Sequence, residues 1–194
     1  MSDAIAAADD ARVLAVAALI RDRRTINLFE PEPVGTAALR DAIELARWAP
    51  NHKLTEPWRF YLLGPAAVAA VADCLADYEA ETKGAAAGAA RRKRIETIPG
   101  HFLLTSARHE DSTIDLENYA ACCCAVQNLM LYLWQRGIGV KWTTGQITRE
   151  QRLYDVLGID SGAERIVGHF WYGRPKIVAP QRRREVAEIV VDLA

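Results

Sequence analysis

The chain has 194 residues, 51% of them apolar and 25% charged, with 24 Lys and Arg against 25 Asp and Glu. This composition excludes wholesale disorder, collagen-like repeats and low-complexity architecture, and the length suits a single domain over residues 1–194 with a sizeable core. Near-zero net charge excludes a protein whose main work is to neutralise nucleic-acid phosphates, yet 19 of the 24 basic residues are Arg, a skew toward bidentate recognition of anions.

Asp3, Asp9 and Asp10 stand where a secretory leader would be basic, so no leader is expected. Residues 11–22 read as a first helix running into Arg23-Arg24-Thr25, and Pro31 and Pro33 mark an extended loop. Thr36 is a candidate N-cap for a helix through Arg47, with Leu39, Ile43 and Ala46 at helical spacing. Ala49-Pro50 stops it, because a residue before proline avoids the helical region. Asn51 to Pro57 is a polar loop, and Trp58 to Leu63 is a strand closed by Gly64-Pro65.

Residues 66–82 form a second helical pattern, followed by a segment, 84–100, that reads as a mobile excursion or lid. Its Arg91-Arg92-Lys93-Arg94 run reads most simply as a solvated helix face. A strand over 101–107 leads to a long apolar helix over 114–136, ended by Gly137. Its longest near-apolar run, Tyr119 to Trp134, is too short for the roughly 20 residues of a membrane span. A strand over 140–143, a helix over 149–157, a strand over 165–172 and a final strand over 186–193 complete the order. The expected architecture is α+β: a central antiparallel-type sheet flanked by helices, with the long helix more buried than the sheet centre. An apolar helix that complete is hard to cover within one subunit, which implies a helix-mediated homodimer.

Cys74 and the run Cys122-Cys123-Cys124 lack disulfide spacing, and adjacent helical residues point about 100° apart, which suits no common metal. They read as small core residues in a reducing cytoplasm. No nucleotide, hydrolase or zinc fingerprint is present, and His101 and His169 read as structural or exposed.

Three polar clusters remain. Arg23-Arg24-Thr25 offers two guanidinium forks and a hydroxyl suited to a phosphomonoester, or else is a solvated helix end. Trp48-Ala49-Pro50-Asn51-His52-Lys53, ahead of Pro57-Trp58-Arg59-Phe60, sets amide, imidazole and ammonium groups beside aromatics, as a planar heteroaromatic ligand needs. Lys141-Trp142-Thr143-Thr144-Gly145 can aim hydroxyls and backbone N–H groups at a ring edge, or is a plain strand-to-helix turn.

In this order the clusters resemble the nitroreductase family of FMN-dependent enzymes, and specifically its compact subgroup with an Ala-Pro-Asn-His-Lys motif, here Ala49 to Lys53. The resemblance extends to Gly137-Ile138-Gly139, Gly173-Arg174-Pro175 and the arginine run 182–184, covering roughly residues 20–190. It implies a homodimer with FMN at the interface and NADH or NADPH as donor. Ping-pong reduction of a small acceptor, such as a nitroaromatic or quinone, is the implied activity. Arg23, Arg24 and Thr25 would hold the phosphate and ribityl oxygens, and Arg182 or Arg183 would add a C-terminal phosphate arm. Trp48, Pro50, Asn51, His52 and Lys53 would reach the partner chain's flavin, while Trp142, Thr143, Thr144 and Gly145 line the same site. Lys53 and Arg23 are the candidates for stabilising negative charge on the reduced ring. Flavin chemistry needs no protein nucleophile, and neither a membrane nor nucleic acid is an expected partner. Glu56 departs from the amide or small residue usual before the proline. The alternative is a non-catalytic FMN-binding or ligand-sensing homodimer of the same fold; a flavodoxin-like sheet lacks the required strand–helix rhythm.

Overall fold

The computed structural model describes residues 10–193, so Asp3 and Asp9 lie outside the described residues. Six helices and four strands follow one another as α1 Asp10–Asp22, α2 Thr36–Ala46, β1 Trp58–Leu62, α3 Pro65–Lys83, α4 Ala85–Glu96, β2 Gly100–Ala107, α5 Ser112–Gln135, β3 Gly139–Thr143, α6 Gln151–Leu157 and β4 Glu164–Gly173. The sheet order is β1-β2-β4-β3 and each neighbouring pair is antiparallel. The α+β expectation holds.

Strand alternation divides the sheet into two faces. On one face Phe102 and Phe170, direct cross-strand partners, stack with ring centroids 4.6 Å apart. Leu104 and Val140 join them beneath α2 and α5. On the other face Leu103, Ile166 and Trp171 pack with α3, α6 and Ile95 of α4. α5 begins where Asp111 accepts hydrogen bonds from the N–H groups of Thr113 (2.8 Å) and Ile114 (3.4 Å). Ala121, Cys122, Ala125, Val126, Leu129 and Leu133, at spacings of a helical stripe, bury its inner face. Gly137, at φ 70°, then turns the chain into β3, a conformation that glycine adopts without penalty.

Several expectations need correction. The most buried elements are the central strands β2 and β4, because each is flanked by strands and covered on both faces. α5 keeps Leu116 and Cys124 exposed, so the long helix is half core and half surface. Of the four cysteines only Cys74 and Cys122 are buried; burial pushes the Cys122 thiol up to about 12. The cap of α2 is Gly35, with Thr36 the first helical residue. The helix expected over 149–157 is a 3₁₀ turn, Gln146–Arg149, and then α6, separated by an extended Glu150. The final strand expected over 186–193 is absent. Glu185 and Glu188 form a reciprocal capping box that coils Val186–Glu188 into a 3₁₀ turn, and the apolar residues beyond stay exposed.

Segment 84–100 is helical over Ala85–Glu96. Gly84, at φ 93°, joins α3 to α4 with no intervening loop. Gly88 lets the two helices touch: a Cβ there would sit 2.6 Å from the Ala76 carbonyl oxygen and 2.8 Å from the Ala80 Cβ. Among the described residues no helix is long and apolar enough to cross a membrane.

Candidate functional site

Arg23, Arg24 and Thr25 leave α1 and lie along the outer edge of β3. Thr25 bridges Val140 in parallel, and the Ile26 N–H donates to the Val140 carbonyl at 3.2 Å. This approach depends on Gly139, where a Cβ would come within 2.3 Å of the fully buried Ile26 side chain. Arg23 and Arg24 line a cavity of about 400 Å³ together with Arg21, Gln181 and Arg183. Partial burial lowers the Arg23 pKa, and the charges of Arg183 and Arg24 lower it further. Among the described residues no carboxylate lines the cavity. Within the arginine run it is Arg183 that faces this cavity, its guanidinium donating to Gln181 Oε1 at 2.7 Å; Arg182 is not among the lining residues.

Further along β3, Trp142 lies over Gly168, where a Cβ would meet its indole at 2.2 Å, and its Nε1 donates to the Val167 carbonyl at 3.0 Å. Its ring stacks on Phe170 at 5.5 Å, so Trp142 supports the loop from below. The Thr143 hydroxyl donates to the His169 carbonyl at 2.6 Å. Thr148 folds the turn back, its N–H and hydroxyl both donating to the Gly145 carbonyl at 2.9 Å. Thr144 and Gly145 remain exposed at the strand end.

The structure adds a group that the sequence reading assigned to solvent. Arg91 and Arg94 of α4 and Lys141 of β3 converge on Trp171, whose ring centroid lies 5.4 Å from each guanidinium carbon and 4.9 Å from Lys141 Nζ. Lys141 donates to Asn27 Oδ1 at 2.7 Å, and Arg94 reaches the Asn27 carbonyl at 3.5 Å. Burial lowers the Lys141 pKa, and the charges of Arg94 and Arg91 add to the effect. Arg91 Nε and Trp171 Nε1 are buried without a partner among the described residues. Arg91 also shares a cavity of about 420 Å³ with Gly145 and Gln146. Two signals were present in the sequence: Arg91 and Arg94 are three apart, hence on one helix face, and Lys141 is two before Thr143, hence on the same strand face.

Behind this group His101 and His169 form a buried pair, with Nδ1 of the first 3.0 Å from Nε2 of the second. His101 Nε2 lies 3.2 Å from the Ile95 carbonyl, which can only accept, so His101 carries its proton there and takes the His169 proton on Nδ1. Burial lowers both pKa values, that of His101 to about 4.

The third cluster stands apart from the other two. Trp48 is 73% exposed, and Pro50, His52 and Lys53 also face outward. Asn51 holds the loop: its Oδ1 accepts the Glu56 N–H at 2.7 Å and its Nδ2 donates to Thr55 Oγ1 at 3.0 Å. Thr55 in turn donates to Asn118 of α5 at 2.7 Å. Lys53, Leu54 and Glu56 have positive φ (58°, 51° and 45°), strain that persists only where the surroundings impose it. Among the described residues no hydrogen bond or ion pair ties this loop to Arg23–Thr25 or to Thr143–Gly145. Among the described residues no group of three or more His, Cys, Asp or Glu could hold a metal.

The sequence and the fold both match known proteins. A family model described as the Nitroreductase family matches residues 20–174. The Bacillus subtilis protein YfhC, whose name places it among NAD(P)H nitroreductases, is 30% identical over 170 residues, 86% of this chain and 87% of that protein. A nitroreductase-like family protein from Bacillus cereus superposes with a TM-score of 0.81 at 27% identity, covering 92% of this chain and 95% of the other. The FMN-dependent nitroreductase NfnB of Mycobacterium smegmatis, solved with NADPH, shares the fold with a TM-score of 0.76 at 18% identity, covering 96% of this chain and 100% of the other. With the family model spanning residues 20–174 and a relative 30% identical over 86% of its length, this chain belongs to the nitroreductase family.

Proposed function

We propose that the protein is an FMN-dependent NAD(P)H oxidoreductase that reduces small organic acceptors such as nitroaromatics or quinones. The observation that carries this reading is the two groups of cations gathered beside β3. Arg23, Arg24 and Arg183 share one cavity, and Arg91, Arg94 and Lys141 group beside Thr143–Gly145. The first group suits the dianionic phosphate of FMN. The second suits the polar edge of its ring, and the unpartnered Arg91 Nε is a donor in need of an acceptor there.

FMN, when bound, supplies the hydride transfer from NAD(P)H to an acceptor. The chain's own residues do the rest. Arg23, Arg183 and Thr25 fix the phosphate end. Lys141, Arg91 and Arg94 hold positive charge where electrons are taken up, a role better met by these residues than by the outward-facing Lys53. Thr144 and Gly145 offer backbone N–H groups to the ring edge. A single open face for donor and acceptor in turn favours a ping-pong order.

The loop bearing Trp48, Pro50, Asn51, His52 and Lys53 is complementary to the same ring in a second copy, because within its own chain it touches neither cation group. Exposed Trp48, Leu54 and Leu116 are the apolar surface that a homodimer would cover. The test is spectral. Purified protein should carry or take up FMN, with absorbance near ~450 nm that bleaches on anaerobic NAD(P)H addition and returns with an acceptor. Failure to take up added FMN refutes the reading, whereas uptake without bleaching points to a binding protein.

A further inference from the structure

A second positively charged concavity lies on the other side of the Thr143–Gly145 turn. Arg108, at the end of β2, Arg149, in the turn after β3, and Arg165, near the start of β4, line a cavity of about 550 Å³. Ile166 and Val167 line it but are nearly fully buried in the two cores of the sheet, and half-buried Tyr119 contributes an aromatic ring and a hydroxyl, Thr144 a second hydroxyl. No Asp or Glu is among the lining residues. One carboxylate, Asp115, pairs with Arg165 and balances a single charge of the three. Arg108 spends its Nε on the Glu164 carbonyl only at 3.5 Å, the limit of a hydrogen bond. Burial raises the Tyr119 pKa, with the charges of Arg165 and Arg149 opposing it, and the Arg165 guanidinium stands 5.8 Å from the Tyr119 ring centre. The three arginines thus line a single concavity.

A cavity with a half-buried aromatic side chain, a cationic rim and surplus positive charge is complementary to a planar organic anion: the ring against Tyr119, the anionic group between Arg149 and Arg108. Thr144 belongs both to this cavity and to the turn that the proposed function places against the cofactor ring. We infer that the cavity built by Arg108, Arg149 and Arg165 binds the carboxylate or other anionic group of the electron acceptor, so that anionic aromatic acceptors are the preferred substrates. The role of acceptor rests on the FMN-dependent reading above; the anion site itself rests on the cavity alone.

The experiment compares 4-nitrobenzoate with 4-nitrobenzamide, nearly isosteric and differing in charge, as acceptors for the FMN-loaded protein at low salt. The expected kcat/KM ratio is at least ~10-fold in favour of the carboxylate, about what one charge-assisted hydrogen bond gives. It should fall toward one in Arg149→Gln, recover in Arg149→Lys and shrink with added salt. Benzoate, which cannot be reduced, should inhibit competitively against 4-nitrobenzoate. Equal use of the two acceptors, or an unchanged ratio in Arg149→Gln, overturns the inference. If neither acceptor is reduced, the acceptor role of the cavity is overturned, and the oxidoreductase reading is judged separately by FMN uptake and bleaching. The cavity is then judged by direct calorimetric titration with benzoate: binding weakened by Arg149→Gln supports the anion site, and absence of binding overturns it.

Discussion

Gly88 is where helix packing and the cation group meet, and its replacement sets two effects of opposite sign against each other. Alanine is a better helix former than glycine by about 1 kcal/mol, so Gly88→Ala would stabilise an isolated α4. In the folded chain the new Cβ would lie 2.6 Å from the Ala76 carbonyl oxygen, whereas ordinary contact begins at 3.4 Å. That atom is backbone and cannot rotate away, so α4 must lift by most of an ångström. Overpacking of this kind costs about 1–3 kcal/mol, which outweighs the propensity gain. The expected net loss is about 1 kcal/mol, or roughly 2–4 °C in Tm for a chain of this size. Arg91 follows Gly88 by less than one turn, and a hydrogen bond stretched by ~0.8 Å is no longer one, so FMN affinity should fall by ~10-fold. Thermal melts and FMN fluorescence titration read the two effects separately. Gly35→Ala is the control: φ is −59° and nothing lies within 4 Å of the added methyl, so it should be neutral or slightly stabilising. A Gly88→Ala protein that is more stable than the parent and binds FMN equally well would refute the claim that α3 and α4 touch at this point.

Other outcomes follow from the same geometry. Arg183→Ala and Arg23→Ala should each weaken FMN binding by ~10-fold or more, while Arg182→Ala should change it little, as measured by fluorescence quenching. Glu164 accepts from Arg59, from Thr105 and from the Tyr61 hydroxyl at 2.9 Å. Glu164→Ala strands the buried Thr105 hydroxyl and frees the half-buried Tyr61 hydroxyl, and should cost about 1–3 kcal/mol in urea unfolding, whereas Arg59→Ala should cost less than about 1 kcal/mol because that side chain is 67% exposed. The His101–His169 pair makes the fold acid-sensitive. The unfolded chain takes up protons below the ordinary histidine pKa of 6.5, but folded His101 does so only at about 4. Stability is therefore full above pH 6.5 and declines as pH falls toward 4, by about 3 kcal/mol for His101 alone. Chemical denaturation across that window should show the slope, and a His101→Gln protein should show a shallower one, with buried His169 keeping its own share.

The order of helices and strands was legible because each carries a local signal: the helical stripe in α5, the apolar run of β2, the Gly and Pro stops. The errors came where a long-range partner decides. Residues 186–193 have the composition of a strand, yet no sheet edge receives them and the Glu185–Glu188 box coils them instead. The basic run at 91–94 has the composition of a solvated face, but Gly84 and Gly88 fold α4 against α3 and turn Arg91 onto Trp171. Nothing local marked His101 and His169 as partners, since they lie 68 residues apart and meet only through the register of β2 and β4. Arg23 and Arg183 likewise meet only when both ends of the chain come to one cavity.

The segment from Thr25 to Glu30 is held to the sheet's outer edge by a few backbone attachments: the Ile26 N–H on the Val140 carbonyl, and the Phe29–Pro175 bridge with the hydrogen bonds from Glu30 to the Arg174 carbonyl and from Lys176 to the Leu28 carbonyl. A latch of that kind opens on its own, without the sheet unfolding, so the Ile26 amide should exchange its hydrogen well before the amides of β2 and β4. An anion spanning Arg23 and Arg183 would tie that latch down from outside. Slowed exchange at this one amide then becomes a gauge of occupancy, readable in the dark and without turnover.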